Sequence, residues 1–280
     1  MIEKATSEEP QIHRARAGRA IVVTSGKGGV GKTNISVNLA VSLSQLGRKV
    51  TVMDADLGMA NADVLCDLHL RSGLEDVVAG KKNLDEIAVD APGGFQLLPG
   101  AGGVPSIADL PQVERNRLID ALARIETRND YLIVDTGAGI GASVMGFVAA
   151  VERILLVTTP EPTAITDAYA MLKTIRSRRP SARARLLVNQ VKSLEEGVAV
   201  HARINQASRR FLGVGIGFAG SIPKDHQIPL AVRRRSPVVL SAPKSPAAKA
   251  IRQLAASIDG SPVQERRSLL SFLTRATKLT

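Results

Sequence analysis

Two lysines, Lys27 and Lys32, stand five residues apart in the glycine run Ser25-Gly26-Lys27-Gly28-Gly29-Val30-Gly31-Lys32-Thr33. From Gly26 to Thr33 the run satisfies G-x-x-x-x-G-K-[ST], with a β-branched segment before it and a helical pattern after it. Such a turn offers backbone N–H groups and a helix N-terminus to an anion. Lys32 then reaches the β- and γ-phosphates of a nucleotide and Thr33 ligates Mg2+, so Gly26 through Asn34 are the expected phosphate-cradling residues. The plain alternative is a tight structural connection, which lysine and threonine at those two positions disfavour. A phosphate loop needs one lysine at its end, so Lys27 asks for a separate account.

Carboxylates follow other apolar runs. Asp135 ends "YLIV", where it would support Mg2+ through water or merely cap a turn. Asp54 and Asp56, two residues apart, lie on one side of the pleat. One can support the metal shell while the other positions an attacking water; the alternative is a solvated turn. Asn189 follows "ARLLV", and Thr158-Thr159-Pro160 follows "RILLV".

The elements that must position these groups read as an α/β alternation. The segments "AIVVTS", "KVTVMDAD", "YLIVDT", "RILLVTT" and "ARLLVNQ" have the character of strands buried on both faces, and "GIGFAGSIP" near 215–223 is a weaker one. Helical segments fall at about 32–46, 111–127, 163–178 and 195–211. The expectation is a mostly parallel twisted sheet with helices on both faces, because parallel strands need crossover connections. Ligands of such sheets sit at the carboxyl ends of the strands, where all the polar groups above fall. Residues 1–18 read as an arm, 19–258 as one domain and 259–280 as a tail.

Composition narrows the classes. The chain has 280 residues, one cysteine and a net charge of +11. A lone Cys66 excludes a disulfide framework, and the absence of a signal-like segment or long apolar run points to the cytoplasm. The positive balance favours polyanionic partners. With aromatics at 2%, stacking on single-stranded nucleic acid is disfavoured, and any nucleic-acid contact would be with the backbone.

The stretch Lys27 to Thr33 resembles the deviant Walker A motif of the MinD/ParA ATPases. The segments at 50–68, 97–110, 131–147, 155–175 and 220–239 are similar to the FlhG group, also called FleN or YlxH, which regulates flagellar placement and number. The resemblance spans about 19–258. It implies that Lys27 acts in trans, reaching the phosphates of a partner across a nucleotide-sandwich homodimer, while Lys32 acts in cis. It implies Asp54 and Asp56 as switch I aspartates, with Asp56 nearer the catalytic water. Asp135 becomes the Mg2+-supporting aspartate that opens switch II. Asn189 reads adenine, Pro223 packs near the base, and Asp167 sits at the dimer interface. The cofactors implied are ATP or ADP and Mg2+.

Two departures stand out. The arm offers "PQIHRARAGRA" where FlhG proteins often carry a D-Q-A-x-x-L-R element that stimulates the GTPase FlhF. Gly137 stands where an alanine is common.

Beyond the domain, "SLLSFLTRATKL" (268–279) places Leu269, Leu270, Phe272, Leu273, Ala276 and Leu279 on one helical half, with Arg275 and Lys278 on the other. Such a face suits a membrane interface, packing on its own domain, or a partner groove. The leading expectation is a switch ATPase that hydrolyses ATP slowly and cycles between a dimer on an anionic membrane and a cytoplasmic monomer, regulating flagella. Its partners would be an FlhF-like GTPase, a switch complex or a transcriptional regulator. The alternative is a ParA-type ATPase binding nucleoid DNA through the arginines at 176–185 and 233–235.

Overall fold

The computed structural model describes residues 19–56, 61–100 and 111–260. Six strands run parallel: β1 (Arg19–Ser25), β2 (Val50–Ala55), β5 (Tyr131–Ala138), β6 (Arg153–Thr158), β7 (Arg183–Val191) and β8 (Gly217–Pro223). A short hairpin of β3 (Val89–Ala91) and β4 (Phe95–Leu98) joins through β4, which is parallel to β2. The sheet order is β3-β4-β2-β5-β1-β6-β7-β8. The expected mostly parallel architecture is therefore the observed one.

β1 lies inside this sheet, and the chain leaves it in two directions. From β1 it passes over β5 to reach β2; from β5 it passes over β1 to reach β6. That reversal opens a crevice at the carboxyl end of β1, where the glycine run begins.

Helices cover both faces because successive strand residues point to opposite sides. On one side Leu132 and Val134 of β5 pack with Met171, Leu172 and Ile175 of α7 (Pro162–Arg178). On the other, Tyr131 and Ile133 join Leu39 and Leu43 of α1 (Lys32–Gln45) and Ile251 and Leu254 of α11 (Pro246–Asp259). The four expected helices are present within a residue or two, as α1, α5 (Gln112–Arg128), α7 and α8 (Leu194–Leu212).

The hairpin and α11 lie outside the expected set. Strands of three and four residues are too short to display a period, and their turn, Pro92-Gly93-Gly94, has φ of 90° and 87° at its glycines. α11 starts at a Ser245 cap whose hydroxyl accepts from the Ala248 N–H, followed by Pro246 at the first helical position. Its far end is fixed by Asp259, which takes two hydrogen bonds from Arg48, at 2.9 Å each, and one from the Tyr131 hydroxyl at 2.9 Å.

Candidate functional site

β1 delivers the glycine run to the sheet's carboxyl edge, and α1 begins at Lys32. Gly31 is the N-cap residue with φ 95°, a left-handed conformation that glycine adopts without strain. No side chain caps this helix and no acidic residue lies in its first turn, so its first N–H groups face the crevice with a positive dipole end. Gly26 is required by contact: a Cβ there would overlap the Asp167 carbonyl of α7. Asp167, expected at an interface, thus packs its backbone directly on the loop.

The two lysines part company. Lys32 is 8% exposed, near the charges of Asp135 and Asp56; burial pulls its ammonium below the ordinary lysine value, and those two charges oppose the shift. Lys27 instead places its ammonium 2.7 Å from Glu161 and 2.9 Å from the Thr163 hydroxyl, at the N-terminus of α7. Sequence reasoning missed Glu161 and Thr163, although both fall inside the quoted segment 155–175.

Asp54 and Asp135 sit opposite each other on β2 and β5. The Asp54 carboxylate is occupied by backbone: Oδ1 accepts from Asp56 at 3.1 Å, and Oδ2 from Asn61 at 3.0 Å and Ala62 at 3.1 Å. Burial pushes its carboxyl upward, with those N–H groups acting the other way. Asp54 therefore ties down both flanks of 57–60, a segment outside the described residues. Asp56 lies across from Gly137, where a Cβ would come within 3.3 Å of Asp56 Oδ1. The departure at Gly137 leaves that carboxylate more room than an alanine would.

Asp135 is fully buried. Its Oδ1 accepts from the Ser36 hydroxyl at 2.9 Å, and its Oδ2 is a buried oxygen with no hydrogen-bond partner among the described residues. Burial pushes its carboxyl up to about 7 and the Asp54 charge adds to the rise; the Thr33 and Ser36 hydroxyls and the Lys32 ammonium act against it. A buried carboxylate with an orphaned oxygen beside a threonine hydroxyl fits a hard cation. Among the described residues no three His, Cys, Asp or Glu side chains converge, which suits Mg2+, an ion that keeps waters and takes ligand phosphates in place of a full protein cage.

Asn189 meets the loop from the end of β7, and Pro223 ends the neighbouring strand β8, paired with Val191. Asn189 Nδ2 donates to the Val30 carbonyl at 2.8 Å, and its Oδ1 accepts from the Gln190 N–H at 3.0 Å. A side-chain amide supports four hydrogen bonds, so two remain for a ligand. A Cβ on Gly31 would lie 2.6 Å from Asn189 Nδ2, which fixes how closely the two elements approach. The structure thus brings Gly26 to Asn34, Asp54, Asp56, Asp135, Asn189 and Pro223 to one edge of the sheet.

Several arginines singled out for DNA contact are engaged inside the fold. Arg176 donates to the carbonyls of Ala182 and Gly215, Arg179 to Ala149, Arg185 to Phe218, and Arg183 pairs with Glu152. The segments 1–18 and 268–279 lie outside the described residues. No helix among those described is long and apolar enough to cross a membrane.

Comparison with known proteins agrees with this geometry. The family profile described as AAA domain matches residues 18–188. The chain is 42% identical over 245 residues to the antiactivator FleN of Pseudomonas aeruginosa, covering 88% of each. It is 35% identical to the flagellum site-determining protein YlxH of Helicobacter pylori, covering 92% of this chain and 89% of that one. Among solved structures it superposes on the MinC:MinD cell division complex of Aquifex aeolicus with a TM-score of 0.72 at 26% identity, covering 90% of this chain and all of that one. The Mg-ADP complex of the septum site-determining protein MinD from Pyrococcus horikoshii gives 0.71 at 25% identity, covering 87% and 96%.

Proposed function

Since this chain belongs to the MinD/ParA-like P-loop ATPases, in the group of the flagellar regulators FleN and YlxH, we propose that it is a dimerising ATP-operated switch. It is a Mg2+-dependent ATPase of flagellar regulation. ATP joins two copies, the dimer acts on flagellar number or placement from an anionic membrane surface, and slow hydrolysis returns cytoplasmic monomers.

Within one copy, the loop N–H groups and Lys32 hold the phosphates. Thr33 and Asp135 hold the metal, with Asp54 supporting them and holding the backbone of Asn61 and Ala62. Bound Mg2+ would neutralise charge on the phosphate oxygens. Asp56 orients the attacking water and draws its proton. The remaining hydrogen-bonding capacity of Asn189, with Pro223 beside it, holds the base. Lys27 of one copy reaches the phosphates held by the other, adding positive charge where the transferring group needs it.

The observation that carries this reading is the split between the lysines: Lys32 is buried in its own loop, while the Lys27 side chain is 36% exposed on Glu161. An intramolecular phosphate ligand would have little reason to sit on α7. Asp56→Ala should retain ATP, and in sedimentation velocity it should run as a dimer with ATP and a monomer with ADP. A monomer under both conditions would sink the proposal. Membrane cycling is checked separately by co-sedimentation with anionic vesicles, comparing the full chain with one ending at Ser261; the same retention without the tail would refute it.

A further inference from the structure

At the opposite end of the sheet from the phosphate loop, β6 and β7 gather arginines on one face. Arg153 pairs in register with Ile21 on one side and Arg183 on the other, and Leu155 pairs with Arg185. Residues two apart on a strand share a face, so all three guanidinium stems rise from one side. With Ala219 of β8 and Ile258 of α11 they line a cavity of about 210 Å3. Ile21 precedes Ser25 by four residues, roughly 13 Å along the strand, which separates this cavity from the nucleotide site.

Charge there is unbalanced. Arg183 pairs with Glu152 at 2.8 Å, while Arg19 and Arg48 share Asp259. Three arginines line the cavity, and the Glu152 carboxylate serves both Arg183 and Arg153. Burial pulls the Arg153 guanidinium below its ordinary value and the like charges of Arg19 and Arg183 pull the same way, while Tyr131 and Glu152 act against the shift. A negative group would relieve both effects.

We propose that this cavity binds a compact organic anion, a single carboxylate or phosphate on an apolar body. The head lies against Arg153 and against the guanidinium N–H groups of Arg183 and Arg185 that Glu152 and the Phe218 carbonyl leave over, since each guanidinium carries five donors. The body lies on Ile21, Leu155, Ala219 and Ile258. The volume falls below the ~300–1,000 Å3 of pockets for drug-sized ligands, which selects a small ion over a second nucleotide. Because the apolar surface is part of the site, head and body must bind together: a bare anion leaves the floor wet, and a neutral chain leaves the arginines unrelieved.

The test uses the full chain saturated with Mg2+ and ADP, so that the phosphate loop is filled. Hexyl phosphate, inorganic phosphate and hexanol are titrated by calorimetry. Hexyl phosphate should bind at least about tenfold more tightly than either of the others. Arg153→Gln should weaken it about tenfold, and so should Ala219→Leu, which fills the floor and removes no charge. ADP affinity should be unchanged in Ala219→Leu, and this variant decides alone if Arg153→Gln does not fold. Equal binding of hexyl phosphate and inorganic phosphate would overturn the proposal. So would wild-type affinity in Ala219→Leu, or displacement of hexyl phosphate by a short DNA duplex at lower concentration than by itself.

Discussion

The Lys27 ammonium is held 2.7 Å from the Glu161 carboxylate, on the helix that packs its backbone against Gly26. The pair is exposed, and such pairs contribute about 0–1 kcal/mol. Lys27→Ala should therefore melt within a few degrees of wild type, while ATP-driven dimerisation weakens and hydrolysis drops by about 10³-fold or more. Binding of ADP to the monomer should persist. Lys32→Ala should lose both, and fluorescence titration with a labelled nucleotide separates the two outcomes.

Asp135 gives a pH dependence of known sign. Its carboxyl is raised to about 7, so the fold favours the protonated form. The stability this group lends is complete below the ordinary carboxylate value of about 4 and is lost as pH rises through about 7. Thermal melts of ligand-free protein should show Asp135→Asn gaining on wild type over that interval. A difference that stays flat with pH would contradict the assignment. Mg2+ with ADP should stabilise wild type more at the alkaline end and should do little for the variant.

Gly26→Ala forces a methyl group into the Asp167 carbonyl, backbone against backbone. Overpacking of this kind costs about 1–3 kcal/mol, and here the loop has to move to relieve it. The melting temperature should fall and nucleotide affinity should fall with it. Gly28→Ala, where the nearest atom is 4.0 Å away, should leave stability almost unchanged in the same assay.

Asp259 joins α11 to Arg48, Arg19 and Tyr131, and the Arg48 guanidinium holds its carboxyl below the usual range. Asp259→Asn should cost about 2 kcal/mol near neutral pH, the scale for hydrogen bonds to a charged group. Because the native carboxyl is depressed, the stabilisation is present above about pH 4 and is lost as pH falls through the native value. Denaturant melts of the two proteins should converge in acid.

Much of this was legible in the chain because the signals were local. The glycine run, the strand-end aspartates and the β-branched runs each declare themselves within a few residues, so the parallel sheet and the loop followed directly. Contacts between distant segments had no such signal. Glu161 lies 134 residues from the lysine it holds, and Ser36 lies 99 residues from Asp135. The backbone capture of Asp54 comes from Asn61 and Ala62, seven and eight residues on, which no spacing rule encodes. The β3–β4 hairpin was missed because three residues cannot show an alternation.

Gly26 lies so close to the Asp167 carbonyl that a Cβ would not fit between them, so a shift of the phosphate loop toward α7 has to carry the helix with it. That makes α7 an optical handle on the site. A fluorophore on Thr166→Cys, exposed and next to Asp167, would ride on the helix and register loop movement as nucleotide arrives. Labelling would be selective without further engineering: the native thiol, Cys66, is buried, and burial pushes it up to about 12, so it stays unreactive while the new one is modified.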